Sequence, residues 1–220
     1  MGLRFWQHAL DLISTARCRS CGGACEPAGA NNPLCAPCLE KLALPEGGLQ
    51  GDQPLLWCAL APYAAELRSL LLRQRPTPDR AVLSLLAGRL HQCCASVLPG
   101  TWLVPLPSWK RSGNPLPALV AQALAEASGG RAELAPAQLL WRSRPTLGQH
   151  HLGRSLRARN LRNAFGAEPI RPGLSRPLWL VDDILTTGAT ACSAAHALQA
   201  AGHAVQGLLA LARTPASAPR

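Results

Sequence analysis

The sequence predicts an α/β fold, a mostly parallel sheet with flanking helices, preceded by a small cysteine-rich module. Three observations predict it. From Leu55 onward, short apolar runs of strand length alternate with longer stretches of helical periodicity. Hydrophobic residues make up 48% of the chain and aromatic residues only 4%, so Ala and Leu supply most of the core, which suits helices on a sheet better than a β-sandwich. Two Cys-x-x-Cys pairs fall in a turn-rich stretch ahead of the first strand. At 220 residues the chain accommodates one α/β domain of ordinary size and a small appendage.

The elements follow in order. Leu3, Trp6, Leu10 and Ile13 are spaced for a short amphipathic helix over residues 1–14. Residues 15–45 lose that periodicity to cysteines, glycines and an Asn-Asn-Pro turn, and residues 46–54 read as a linker. The expected organisation is an N-terminal helix and four-cysteine module over 1–50, the α/β domain over 51–213, and a disordered tail over 214–220, rich in Pro, Ala and Ser. Within the larger domain a strand is expected between Leu55 and Tyr63. A helix follows on Leu67, Leu70 and Leu71, closed by Pro76 and Pro78. A longer helix runs from Ala81 to Leu98, and a buried strand from Thr101 to Val104 stops at Pro105. An Ala/Leu helix over 117–128 is capped by Gly129-Gly130. The last three elements are a strand from Leu178 to Val181, a helix from Ala189 to Ala201 and a strand from Ala204 to Leu211.

Cys18 and Cys21 form one knuckle, Cys35 and Cys38 the other. Two-residue spacing lets both sulfurs of a knuckle face one ion, and two knuckles complete a tetrahedral shell of thiolates. The reading is a structural Zn²⁺ site whose binding energy folds the segment. Iron in the same four-thiolate shell is the rival, and a redox Cys-x-x-Cys is the alternative without metal. Cys25 is a fifth thiol at less regular spacing, while Cys58, Cys93, Cys94 and Cys192 lie in apolar stretches as buried thiols.

The strand at Leu178 to Val181 runs into Asp182-Asp183, then Ile184-Leu185, then the small hydroxyl-rich loop Thr186-Thr187-Gly188-Ala189-Thr190 that opens a helix. Carboxylates at a strand's C-terminal end sit where α/β sheets bind ligands. Gly188 permits close backbone approach, and the helix N-terminus favours an anion. The pairing of acids with a phosphate nest suits a sugar phosphate: Asp182 and Asp183 accept from ribose hydroxyls, and Thr186 to Thr190 take the 5′-phosphate. For an isolated Asp-Asp after a strand, a solvated turn or helix cap is the commoner role, but the full run is far more specific.

Val181 to Thr190 behind its apolar strand resembles the phosphoribosyl-pyrophosphate signature of type I phosphoribosyltransferases. With the cysteine knuckles ahead of it, the chain is similar to ComF-type competence proteins and their gluconate-utilisation-linked relatives. Val104-Pro105-Leu106-Pro107 looks like that family's strand end bearing the pyrophosphate loop. Thr146, Gln149, Arg157, Asn160, Ala164 and Phe165 fall at its further spacings. The likeness spans roughly residues 15 to 213, with one departure. Where the family shows Arg-Gly-Phe-Asn-Gln, this chain has Ser112-Gly113-Asn114-Pro115-Leu116, with Lys110 and Arg111 just ahead as a source of positive charge.

The resemblance implies a type I phosphoribosyltransferase-like sheet behind a zinc-ribbon module. It implies a ligand such as phosphoribosyl pyrophosphate or ribose 5-phosphate. It also implies an accessory role in natural transformation, handling imported single-stranded DNA beside competence or DNA-processing proteins. The alternative it implies is an active transferase moving phosphoribose to an amine or nucleobase with Mg²⁺ on the pyrophosphate. A third reading is a sensor that binds the sugar phosphate and reports to a partner.

The net charge is +10, carried almost entirely by arginine. Between Leu134 and Val181 stand Arg142, Arg144, Arg154, Arg157, Arg159, Arg162, Arg171 and Arg176, with Glu168 as the one acid. Such a run is most often a solvated face, but its imbalance also creates a field for pyrophosphate or a nucleic-acid backbone. His150 and His151 within it have no partner spacing for catalysis and read as loop residues. No Gly-Lys-Ser/Thr occurs, so a Walker-type motor is excluded. No apolar run is long enough to span a membrane, and the first residues lack a signal-peptide core, so a cytoplasmic location is expected.

Overall fold

The computed structural model describes residues 17–23, 32–108, 113–143, 164–171, 173 and 175–215. It divides into two compact units, Met1–Ala43 and Leu44–Arg220. The expected helix over 1–14, Cys25, Lys110 and Arg111, the arginines and histidines from Arg144 to Arg162, and most of the 214–220 tail lie outside the described residues.

Among the described residues of the first unit the one helix is the short α1 (Ala36–Lys41). Cys35 ends the extended chain before it, Pro37 occupies its first turn, and Leu34 and Leu42 are buried at its two ends.

In the second unit eight strands and four helices follow one another among the described residues. They are β1 (Leu49–Gly51), β2 (Trp57–Pro62), α2 (Ala65–Gln74), α3 (Arg80–Cys94), β3 (Thr101–Pro105), α4 (Leu116–Ala127), β4 (Ala132–Leu134), β5 (Leu140–Arg142), β6 (Phe165–Ala167), β7 (Leu178–Leu185), α5 (Ala189–Ala200) and β8 (Val205–Arg213). Six strands make the main sheet in the order β1-β2-β8-β7-β3-β4. Every pairing is parallel except β1 with β2. Strands β5 and β6 form a separate antiparallel hairpin.

Burial on both faces follows from residue choice. The central strands read Leu178-Trp179-Leu180-Val181 and Leu208-Leu209-Ala210-Leu211-Ala212, without polar alternation, as parallel strands covered on both sides do. One face packs Leu178, Leu180, Leu208 and Ala210 against Ala191, Ala194 and Leu198 of α5 and Phe165 of the hairpin. The other is covered by α3 and α4, which pack on each other and on β2, β3 and β7. Helix α3 is started by Asp79, whose carboxylate accepts from Ala81 N at 3.0 Å and Val82 N at 3.3 Å.

The helix α1 and the short strands β4, β5 and β6 have no counterpart in the sequence expectation, and three further elements depart from it. The segment read as a linker contains β1, whose Leu49 pairs with Ala59. The helix expected to Leu98 ends at Cys94; the chain turns, and Leu98 is buried outside the helix. The strand expected to stop at Val181 continues to Leu185, so Asp182 and Asp183 lie inside β7 and not beyond it. The reason is pairing: Asp182, Ile184 and Leu185 stand in register with Ala210, Ala212 and Arg213 of β8, and Ile184 and Leu185 are buried. Carboxylates are poor strand formers, so local propensity stops the strand where tertiary pairing carries it on.

Candidate functional site

Asp182 and Asp183 are adjacent in β7 and differ in surroundings, although their carboxyls interact with each other. Asp183 is 2% exposed. Its Oδ2 accepts from Arg75 Nε at 3.0 Å, Arg75 Nη2 at 2.9 Å and Asn114 Nδ2 at 2.9 Å. Arg75 follows the last turn of α2, and Asn114 precedes α4, where its Oδ1 accepts from Leu116 N at 3.2 Å. One buried carboxylate therefore ties together α2, β7 and the start of α4.

Asp182 is half-buried on the hairpin's side of the sheet. Its Oδ1 accepts from Asp183 N at 2.9 Å. Desolvation, and then the charge of Asp183, hold the Asp182 carboxyl well above the ordinary aspartate range. Arg142 at the end of β5 feels the Asp182 charge. Its Nε donates to Pro107 O at 3.2 Å, and its guanidinium lies 4.4 Å from the Phe165 ring centre. Desolvation lowers the Arg142 pKa, which nonetheless leaves a permanent cation on the same side of the sheet as Asp182.

The loop after β7 has the form the sequence calls for. Thr186 is exposed, Thr187 half-buried, and Ala189 and Thr190 open α5. Gly188 caps the helix with φ +75°, a left-handed conformation that side-chain-bearing residues rarely adopt. Thr187 Oγ1 accepts from Ala189 N at 3.4 Å, and the first helical bond runs from Cys192 N to Gly188 O at 2.8 Å. The crowding that glycine relieves is internal: a Cβ at Gly188 would lie 2.6 Å from Pro54 Cγ. Arg213, at the end of β8, donates from Nη1 to the carbonyls of Leu185, at 3.2 Å, and Thr186, and its guanidinium lies 5.4 Å from the Trp57 ring. The loop is thus clamped from β8 on one side and from Pro54 on the other.

Asp182, Thr186, Thr187, Gly188, Ala189 and Thr190 thus share the C-terminal end of β7, while Asp183 turns away into the core. Sequence reasoning missed Arg75 and Arg213 and treated Asn114 only as a departure. No local signal reveals them, because Arg75 meets its partner 108 residues further along the chain. A cavity of about 100 Å³ among Trp102, Pro136, Leu139, Glu168, Pro169 and His203 opens at the opposite end of the strands, where β3 and β8 begin, away from the acids.

In the first unit the four sulfurs of Cys18, Cys21, Cys35 and Cys38 lie within 4.8 Å of one another. Cys21 Sγ and Cys35 Sγ are 3.9 Å apart. Bonds of about 2.3 Å to a tetrahedral ion require sulfur separations of about 3.8 Å, so the cluster fits one such ion. Gly22, at φ +73°, turns the first knuckle. Cys18 Sγ accepts from Ser20 N and from Cys35 N, each at 3.4 Å. Against the desolvation that raises it, these backbone donors with that of Cys21 bring the Cys18 thiol down to about 6. Cys38 is pushed up to about 12 by desolvation and by the neighbouring thiols. The arrangement can hold a metal such as zinc.

Comparison with known proteins places the chain among relatives. It is 32% identical over 217 residues to the DNA utilization protein YhgH of Salmonella typhi, covering 90% of this chain and 84% of that protein. The protein of the same name from Salmonella typhimurium (strain LT2) is 34% identical over 152 residues, 67% of this chain and 57% of its own length. A shorter match, 42% identical over 73 residues, links the chain to the protein of that name from Escherichia coli (strain K12). No family model matches. A solved structure of the allosteric regulatory enzyme of purine biosynthesis aligns with a TM-score of 0.36 at 21% identity, over 59% of this chain and 25% of that one. No helix among the described residues is long and apolar enough to cross a membrane.

Proposed function

Because this chain belongs to the same family as the DNA utilization protein YhgH, we propose that it is an accessory protein of DNA uptake that binds a 5-phosphoribosyl ligand. The observation that carries the ligand reading is the left-handed Gly188 at the N-terminus of α5, directly behind the half-buried Asp182. A 5′-phosphate at Thr186 to Thr190 meets helix N–H groups, a favourable dipole and threonine hydroxyls. Asp182 then lies within reach of ribose hydroxyls, and Arg142 offers its charge to a pyrophosphate, with Mg²⁺ as the counter-ion that such a ligand brings. The relatives' name, DNA utilization protein, and the +10 net charge support the DNA part of the reading. In it, single-stranded DNA is engaged through phosphate contacts in the cytoplasm, alongside ComF-type competence partners, and Zn²⁺ sits in the Cys18, Cys21, Cys35 and Cys38 shell.

Calorimetric titration with ribose 5-phosphate and phosphoribosyl pyrophosphate tests the ligand site, followed by assay of phosphoribosyl-pyrophosphate consumption against a panel of amines and nucleobases. Binding without turnover is the expected result. Turnover would make the protein a transferase, and no binding of either compound would remove the ligand reading. For DNA, binding to a labelled single strand should weaken steeply with salt. A slope near zero would remove the nucleic-acid reading.

A further inference from the structure

We propose that the cavity at the N-terminal end of the sheet is a second binding site, taking a single-ring heteroaromatic base such as the pyrimidine of a nucleoside. It lies at the end of the strands opposite the loop after β7 and does not rest on the sugar-phosphate reading. Size comes first. A cavity of about 150 Å³ encloses a benzene ring. The cavity here is about 100 Å³ and open on one side, so it seats one six-membered ring with its substituents at the mouth, and two fused rings exceed it. The walls are apolar and stiff. Trp102 of β3 is half-buried and packs on the core. Its ring is held by Arg176, whose guanidinium lies 5.6 Å from the ring centre and is itself fixed by Glu133 at 3.0 Å. Leu139 is buried, and Pro136 and Pro169 complete the wall with side chains that have no rotamers to lose. A flat aromatic surface presented by fixed neighbours is what a planar ring stacks on.

The rim supplies the edge contacts of a base. Gln138 is exposed and carries a donor and an acceptor on one amide. Glu168 and Arg171 face each other across 3.5 Å, a loose exposed pair with an acceptor and several N–H groups to spare. On the buried side His203 Nε2 lies 2.8 Å from Glu168 O. A carbonyl only accepts, so Nε2 carries the hydrogen and Nδ1 is the acceptor of the neutral ring. Donors and acceptors around one aromatic wall suit a ring with polar edges, and a hydrocarbon would leave them unmatched. They do not suit a free phosphate, because Glu168 balances Arg171 and Glu133 balances Arg176. The same chemistry is met by a free nucleoside and by a base turned out of a single strand.

Titration calorimetry on the full chain tests it with thymidine, deoxyadenosine, ribose 5-phosphate, an oligothymidylate and an abasic strand of the same length. Thymidine should bind, and deoxyadenosine about tenfold more weakly, since its fused rings overfill the cavity. Ribose 5-phosphate should not displace thymidine. Trp102→Leu should weaken thymidine binding by about tenfold and Trp102→Phe by clearly less, as loss and retention of a stacking face require. Gln138→Ala, at an exposed position, should weaken it by about fivefold with the melting temperature unchanged, and decides the matter if Trp102→Leu fails to fold. If the base arrives in a strand, oligothymidylate binds more tightly than the abasic strand, and Gln138→Ala shrinks that advantage. If it arrives as a free nucleoside, thymidine binds and the two strands are equal. Either result supports the site. A protein that binds no thymidine and does not distinguish the two strands overturns it. So do equal affinities for thymidine and deoxyadenosine, displacement of thymidine by ribose 5-phosphate, or thymidine binding unchanged in both Trp102→Leu and Gln138→Ala.

Discussion

At Gly188 two constraints coincide, a φ of +75° and a Pro54 ring within 2.6 Å of where a Cβ would lie. Gly188→Val should therefore abolish binding of ribose 5-phosphate and phosphoribosyl pyrophosphate, because the strained residue reshapes the loop and displaces Pro54. The sheet should persist, and circular dichroism beside calorimetry separates loss of the loop from loss of the fold. Thr187→Ala should cost little, about one hydrogen bond or 1–2 kcal/mol of binding. Asp182 gives a pH signature. Its folded pKa is raised, so the native state holds a proton that the unfolded state has already released. Stability from this group must fall as pH rises from the ordinary aspartate value, about 4, through the raised folded value, and be level on either side. Asp182→Asn should remove that fall, which the difference in melting temperature between variant and native across the acidic range measures. The residue types at this site were legible in the sequence because they are contiguous. Arg75, Asn114 and Arg213 were not, because they reach the same strand end from three other elements.

Among the elements, helices were legible because α3, α4 and α5 carry apolar residues at a repeating period, whereas β1, β4, β5 and β6 are three residues long and too short to show one. A second reason is visible in the pairing. Gly51 stands opposite Trp57, Gly166 opposite Trp141, and Gly207 opposite Trp179. Each tryptophan ring covers the glycine across from it, so Gly51, which falls in the stretch that reads as a linker, is a strand residue roofed by a neighbour. The nearest atoms to a Cβ at Gly166 belong to the exposed Trp141 ring, at 2.5 Å, which can swing aside. A Cβ at Gly207 would meet Leu56 O at 2.4 Å and the buried Trp179 ring at 2.7 Å. Gly207→Ala should thus destabilise by about 1–3 kcal/mol in chemical denaturation, and Gly166→Ala by clearly less. Equal losses would show that the buried backbone contact is not what limits the site.

For the whole molecule, the division at Ala43 and Leu44 separates two sources of stability. The larger unit has its own apolar core on both sides of a sheet. The smaller has a cysteine cluster and a six-residue helix with no buried residue of its own. A chelator should therefore remove about one ion per chain and unfold the smaller unit, with the larger unit's melting transition retained. Cys18→Ser or Cys38→Ser should act in the same way, read by metal analysis and hydrogen exchange. The fold class was legible at this scale from alternation alone, but strand order was not, since nothing local specifies that β8 lies between β2 and β7. That order carries a consequence for synthesis on the ribosome. Strand β8 is made after the other five strands of this sheet and lies between β2 and β7, so until Val205 to Arg213 has emerged nothing joins β1-β2 to β3-β4-β7. The nascent chain must shield the edges of β2 and β7 until β8 slots in, and a ribosome stalled inside β8 leaves both of them exposed.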